Sequence, residues 1–480
     1  MTTFPNIDEN SGLFFIVIEE IFVQRYEIRF DFLLSRIITT FAGLNKQNKT
    51  MNTPIPNRLF IRNRANLAAQ MPPKSVAVFT ANESMPRNGD EFYPFRQQSD
   101  FFYLTGINEE NAYLLIAPDY PIEDLREILF IEPYDEVKAT WQGEMLDNAQ
   151  AAELSGIKTV KGSDAFWQFL NDIALSGYGD TIFLNSYEYP KYECAVETIQ
   201  KRFVKQVKER YPMHNYGRTA PILNALRMVK SEEEIEITRQ ACDVTAKAFR
   251  RCLETVKPGM NEYEVQAEIE YIFKKNNASG HAYAPIIAAG KNACCLHYCK
   301  NQSQLNDGDL ILFDIGCELK NYSSDLSRTI PINGKFTERQ KDCYNAVLRV
   351  MKEITKLYRV GGTINEINET TYKLMEQEMI ALGLFTAEDV KKQNPDKPLY
   401  KKYLMHGMSH HIGLDVHDSI DKFKPFEPGM ILTCEPGLYI RDEGIGIRIE
   451  NDLLITEGEP INLFEGLPTE IDEIEAAMRK

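Results

Sequence analysis

Four acidic residues stand where an acid is costly. Asp314 closes the apolar run at residues 310–313, and Asp325 follows it by 11 positions (325 − 314). Glu435 closes a second such run, and Glu450 ends the alternating stretch 445–450. A carboxylate at the end of a buried strand costs free energy unless something pairs with it. The polar stretch 320–324 allows a hairpin that brings Asp314 and Asp325 together. Alternation along a strand puts Arg448 and Glu450 on one face. Four such acids converging would repel one another, and two divalent cations would remove that repulsion, with carboxylates as bridges. One acid of this kind is most often a turn residue or half of a surface ion pair. Four at matching points of a repeat are poorly explained that way.

The chain has seven histidines, and His406, His410, His411 and His417 fall close together. The spacing of His406 and His410 imitates a helical zinc pair. Gly407, Ser409 and Gly413 disfavour a helix, so a shaped loop entering a strand is expected. One imidazole with four carboxylates is a hard, oxygen-rich donor set, better suited to Mn(II) than a thiolate zinc site is. The remaining histidines are then free to bind substrate or move protons. The cluster Cys294, Cys295, His297 and Cys299 offers a competing zinc knot. A strand there would point its thiols to opposite faces, which argues against it.

The elements that must carry these residues come as a repeat. Residues 307–316 resemble 427–437: Gly308 matches Gly429, Asp314 matches Glu435 and Gly316 matches Gly437, each 121 positions on (429 − 308). Each copy delivers a carboxylate at the end of an apolar strand and a second one shortly after, so a pseudo-twofold site is expected. His297 precedes the first strand and His417 the other. Capped helices stand before the strands. Ser231 with Glu234 and Thr337 with Gln340 read as capping boxes, and Asn261 as a further cap. The first helix is expected to run to Pro258-Gly259, and a later one to Gly361-Gly362. Upstream, strands at 75–80, 113–116, 128–131 and 181–184 alternate with helices at 58–70, 165–173 and 194–210, the pattern of an α/β domain.

Length and composition frame this. A chain of 480 residues calls for two domains. We expect a first at 58–213 and a second at 228–465. A formal net charge of −16 argues against a nucleic-acid partner. Nine cysteines without dense spacing indicate a reducing, cytoplasmic location. Residues 1–50 resemble neither a signal peptide nor a membrane span, and they read as an extension outside the core, with Met51 an alternative start.

These segments, over about residues 59–460, resemble the metallopeptidase family that contains methionine aminopeptidase, prolidase, creatinase and aminopeptidase P. The resemblance implies an α+β pita-bread catalytic domain with an internal pseudo-twofold. It also implies an α/β N-terminal domain of the creatinase/aminopeptidase P type. By the same resemblance Asp314 and Asp325 hold one metal, Asp325 and Glu450 bridge to a second, and His410 and Glu435 complete the ligands of that second metal. A hydroxide bridging the metals would attack the scissile carbonyl, with Glu435 as proton acceptor. His297, His406 and His417 resemble substrate-side histidines, Arg448 a support for the acids, and Tyr439 a supporting tyrosine. Residues 87–90 and 94–106 resemble the aminopeptidase P branch. That branch implies release of the first residue from peptides with proline second. The alternatives are an Xaa-Pro dipeptidase, a creatinase-like hydrolase that is not a peptidase, and an inactive binding relative. The resemblance further implies a homo-oligomer, dimer or tetramer. Trp141 resembles an aromatic that reaches a neighbouring subunit's site; packing within its own domain is the competing reading.

Overall fold

The computed structural model describes residues 54–186, 188–189, 194–418 and 421–479. The expectation for residues 1–50, and for a start at Met51, lies outside them. The first layer opens with α1 (Arg58–Ala68), β1 (Ser75–Thr80), the hairpin β2 (Pro86–Asn88) and β3 (Glu91–Phe92), and α2 (Ser99–Thr105). It continues through β4 (Tyr113–Ile116), β5 (Glu127–Ile131), α3 (Glu136–Gln142), α4 (Asn148–Ser155), β6 (Thr159–Gly162), α5 (Phe166–Leu175) and β7 (Thr181–Leu184). It closes with α6 (Ile199–Arg210), β8 (Asn215–Arg218) and α7 (Ala220–Met228).

Six of these strands form one mixed sheet in the order β6-β5-β4-β1-β7-β8. β1 lies antiparallel to β4 and parallel to β7, and all six of its residues are buried. Alternation divides its side chains between two cores. Ala77 and Phe79 pack with Leu114, Leu129 and Ile131, while Val76 and Val78 pack with Phe130, Phe166 and Ile182. Both faces are covered, so β1 reads as a continuous apolar run. The helix expected from residue 194 begins only at Ile199, because Thr198 caps it by accepting from the Lys201 N–H at 3.3 Å. Trp141 is 83% exposed and does not pack into its own layer.

The second layer begins with α8 (Glu232–Thr255) and α9 (Glu262–Lys275), then β9 (Gly280–His281) and β10 (Ile286–Ala289). Next come β11 (Leu310–Ile315), β12 (Cys317–Leu319), β13 (Tyr322–Ser323) and β14 (Leu326–Pro331), followed by α10 (Glu338–Thr355), α11 (Ile364–Ala381) and α12 (Ala387–Lys392). Last are β15 (Ile431–Cys434), β16 (Gly437–Ile440), β17 (Ile445–Arg448), β18 (Asn451–Leu454), β19 (Ile461–Asn462) and α13 (Ile471–Met478). The capping signals work as read. The Ser231 N–H donates to Glu234 at 2.9 Å and the Thr337 N–H to Gln340 at 2.9 Å. Two helices stop short of the glycines expected to end them, α8 at Thr255 and α10 at Thr355.

The repeat is visible in the pairing. β11 pairs antiparallel with β14 around the hairpin β12–β13, and β15 pairs antiparallel with β18 around the hairpin β16–β17. The first hairpin turns through Lys320 and Asn321, both at positive φ, as a type I′ turn requires. The face of the N-terminal sheet that carries Phe79 runs on without a break into Tyr322 and Leu414 of the second layer. Among the described residues, no helix is long and apolar enough to cross a membrane.

Candidate metal centre

Asp314 is the fifth residue of β11 and sits opposite Ser327 in the ladder; Asp325 lies immediately before β14. Close approach of the two strands depends on Gly316. A Cβ there would fall 1.8 Å from the Ser324 carbonyl oxygen. Gly437 repeats the device in the second half, where a Cβ would stand 2.7 Å from the Tyr439 hydroxyl. Glu435 follows β15, and its N–H donates to the Met408 carbonyl at 3.0 Å. The histidine loop is irregular, as its glycines imply, and lies alongside β15. The His410 N–H donates to Thr433 Oγ1 at 3.1 Å, the Thr433 N–H returns to the His410 carbonyl at 2.9 Å, and His411 bridges to Leu432. Those bonds set His410 beside Glu435. Glu450 lies two residues past the end of β17 rather than within a strand. It is nonetheless turned inward, accepting from Ser327 Oγ at 2.7 Å.

A cavity of 260 Å³ gathers Asp314, Asp325, Glu435, Glu450, His297, His406, His410, His417 and Arg448, nine of the residues expected from sequence. Ligand atoms of Asp325, His410 and Glu450 lie within 4.8 Å of one another. His410 Nε2 is 3.5 Å from Asp325 Oδ2 and 3.8 Å from Glu435 Oε1. The rings of His410 and His417 meet edge to face with centroids 4.4 Å apart. Tyr439, also expected, joins from β16. Its hydroxyl accepts from Arg448 Nη1 at 2.8 Å and stands 2.9 Å from His406 Nε2. Arg448 Nη2 donates to Asp314 Oδ2 at 2.5 Å, and its Nε donates to Ser327 Oγ at 2.8 Å.

Burial and then the neighbouring carboxylates push the acids of Asp325 and Glu450 well above the usual carboxylate range. Tyr283 was not singled out in the sequence, yet its hydroxyl lies 2.5 Å from Asp314 Oδ1 and 2.6 Å from Asp325 Oδ1. One phenol proton cannot neutralise two carboxylates, so the pair is completed by either a proton or a cation. Oxygen donors in excess, one imidazole and uncompensated buried negative charge are the donor chemistry of a hard divalent ion. Asp452, also missed, accepts the Asp325 N–H at 3.0 Å and the Cys242 thiol at 3.3 Å, and burial pushes it up to about 7. Neither residue carries a signal of type or spacing. Tyr283 reaches the acids from the loop between β9 and β10, and Asp452 is one more acid in an alternating strand.

The cysteine knot does not form. The strand expected over Cys294–Cys299 is absent: a short 3-10 helix, Gly290–Cys294, ends at the first cysteine, and bend, turn and coil follow. Cys294 is buried against the Ile445 carbonyl, while Cys295 and Cys299 are exposed.

Residues 236–457 match metallopeptidase family M24, and residues 60–183 match the aminopeptidase P N-terminal domain. The Xaa-Pro aminopeptidase of Escherichia coli (strain K12) is 35% identical, over 88% of this chain and 98% of that protein. The chain belongs to metallopeptidase family M24. As an M24 member it is a hydrolase, and its described residues hold the acid and histidine cluster of a metal site. Intermediate cleaving peptidase 55 of Saccharomyces cerevisiae is 29% identical, over 88% of this chain and 84% of that one. Among solved structures, Zn-substituted E. coli aminopeptidase P in complex with product superposes with a TM-score of 0.79 at 34% identity. It covers 89% of this M24 chain and 100% of its own. The architecture is therefore an α/β N-terminal domain followed by a pita-bread domain.

Proposed function

We propose that this chain is an Xaa-Pro aminopeptidase whose division of labour follows the two domains at 58–213 and 228–465. The observation that carries the reading is the single 260 Å³ cavity holding four carboxylates, one adjacent imidazole and three further histidines. Similarity to an Xaa-Pro aminopeptidase across nearly the whole of that protein supports the substrate class. Asp314, Asp325, His410, Glu435 and Glu450 would hold two divalent cations. Mn(II) suits this set best. Bound there, the two cations polarise the substrate carbonyl and lower the pKa of water.

The remaining steps belong to side chains. Glu435 takes the proton of the attacking water and returns it to the departing proline nitrogen. Burial pushes His406 down to about 4, so it is neutral at physiological pH. Its Nδ1 lies 2.7 Å from the Gly407 carbonyl and donates there, leaving Nε2 to accept from Tyr439. Arg448 holds Asp314 and Tyr439 together and so fixes that chain of bonds. His297 and His417 face the oxygen that becomes negative as the carbonyl turns tetrahedral. Proline has no amide N–H and a fixed φ, so a site that asks for neither a donor nor a flexible second residue makes Xaa-Pro bonds its speciality.

All nine cysteines are free, which supports a reducing, cytoplasmic setting. Tyr134, Val137 and Trp141 stand exposed on and beside α3 and support a homo-oligomer, dimer or tetramer, which light scattering decides. The substrate assignment is tested by comparing an Xaa-Pro-Xaa tripeptide with the matching Xaa-Pro dipeptide. The tripeptide is expected to be cleaved far better; strong preference for the dipeptide replaces this reading with a prolidase. Inactivity on both with the metals in place replaces it with a hydrolase that is not a peptidase.

A further inference from the structure

Arg227 lies in the last turn of α7, the helix that leads from the first layer to the second, and is 6% exposed. Its Nη1 donates to Asp100 Oδ1 at 2.8 Å, in α2 of the N-terminal layer. Its Nη2 donates to Asp415 Oδ2 and to Asp418 Oδ1, both at 2.6 Å. Those two acids bracket Val416 and His417 in the chain. The bracketed stretch is neither helix nor strand, and backbone bonds hold only its ends: the Asp418 N–H donates to the His411 carbonyl at 2.9 Å and the Gly413 N–H to the Asp415 carbonyl at 3.1 Å. Side chains add to these. Arg96 donates to the Leu414 carbonyl and, through Nη1, to Ser99 Oγ at 2.7 Å. Ser99 Oγ donates onward to Asp415 Oδ1 at 2.6 Å. Lys230 Nζ stands 3.2 Å from Asp418 Oδ2. His417 itself lines both the acid cavity and a neighbouring 480 Å³ cleft walled by Arg96, Asp100 and Arg227.

A buried guanidinium with three carboxylates can do this because its planar fork fixes several acceptors at once, which a lysine cannot. We propose that Arg227 is the positioning residue for His417: it grips the acids on both flanks of that histidine and ties them to Asp100, so the imidazole faces the acid cavity only while the two layers are docked. The inference rests on the role given to His417 above. A latch that merely held the layers together needs one bond from α7 to the second layer; here two such bonds stand on either side of one cavity-lining histidine.

The test is a double-mutant cycle on the metal-loaded, full-length chain, using whichever proline peptide the native chain cleaves fastest. An error in the substrate assignment then changes the peptide and leaves the cycle intact. Arg227→Lys is expected to lower kcat about 10–100-fold, as a small misplacement of a catalytic group does, with KM and metal content little changed. In a His417→Ala background the same substitution should cost less than about threefold, because coupled residues are not additive. Asp415→Asn leaves the guanidinium paired with Asp100 and Asp418, and should repeat the pattern at smaller size even if Arg227→Lys folds poorly. Equal losses in both backgrounds overturn the proposal and leave Arg227 a latch. Imidazole NMR supplies a reading independent of turnover. The ring signal that disappears in His417→Ala should shift in Arg227→Lys and in Asp415→Asn; a signal that stays in place overturns the proposal.

Discussion

The two halves of the catalytic domain use one device and finish it differently. In each, an acid stands within one residue of a strand's end, a glycine lets the chain turn back closely, a hairpin intervenes, and a second acid stands immediately before the returning strand. In the first half the acids are 11 positions apart (325 − 314), and in the second they are 15 apart (450 − 435). Two of the four extra positions go into the turn at the hairpin tip, Arg441–Gly444 against Lys320 and Asn321, and the rest into longer hairpin strands. The first hairpin points away from the acids. Glu318 pairs with Arg96 at 2.9 Å and Asn321 donates to Asn108 at 2.7 Å, so it docks the N-terminal layer. The second hairpin points inward and supplies Tyr439 and Arg448. The halves also brace each other, since Ser327 of the first holds Glu450 and Arg448 of the second holds Asp314. A duplicated fold can thus keep one function in its strands, delivery of carboxylates, while its hairpins take on separate ones.

If Asp325 and Glu450 occupy equivalent places, their loss should be equivalent. Asp325→Ala and Glu450→Ala are each expected to abolish turnover and to lose both cations, because in the proposed centre each would serve two ions. Elemental analysis beside a peptide assay checks this, and normal activity in either variant breaks the equivalence. His417→Ala should separate chemistry from metal holding: both ions stay, and kcat falls by about 10²–10⁴-fold. A variant that loses its metals would move His417 into the ligand set. Tyr283→Phe removes the hydroxyl shared by the two acids of the first half only. A hydrogen bond to a charged group is worth roughly 1.5–3 kcal/mol, so about a tenfold or greater loss of kcat/KM is expected. No change would mean that the first half needs no brace of its own.

The smallest effect is on stability with pH. Asp325 and Glu450 are pushed up in the metal-free fold, so between the unfolded carboxylate value and the raised folded one the native state binds more protons than the unfolded state. Stability from these groups is therefore present at low pH and is lost as pH rises through the folded value. Cations compete with those protons, so the gap in Tm between metal-loaded and chelated protein should widen from pH 5 to pH 7. A gap that narrows with rising pH would contradict the assignment of these two acids.

Much of this was legible in the sequence for a physical reason. Acids ending apolar runs and a 121-residue offset are signals of type and period, and they point to Asp314, Asp325, Glu435 and Glu450, which line one cavity with the histidines and Arg448 that the family resemblance implies. The strands at 75–80, 113–116 and 181–184 also follow from pattern. What pattern does not reach is contact across distance. Tyr283, Asp452 and the Arg227 cluster act on residues 31 to 210 positions away in the chain (314 − 283 and 452 − 242), contacts that no local propensity sets. The supposed strand at the cysteine cluster failed for a related reason. Gly290 lies at positive φ, and its chain coils before it can extend.

The proposed centre joins four acids and one histidine around two ions. The direct measurement is Mn(II) add-back to fully chelated protein, with bound metal and peptide hydrolysis followed together. Activity should be absent at zero metal and should plateau at two ions per chain. Full activity in the metal-free protein, or a plateau at one ion, would contradict it.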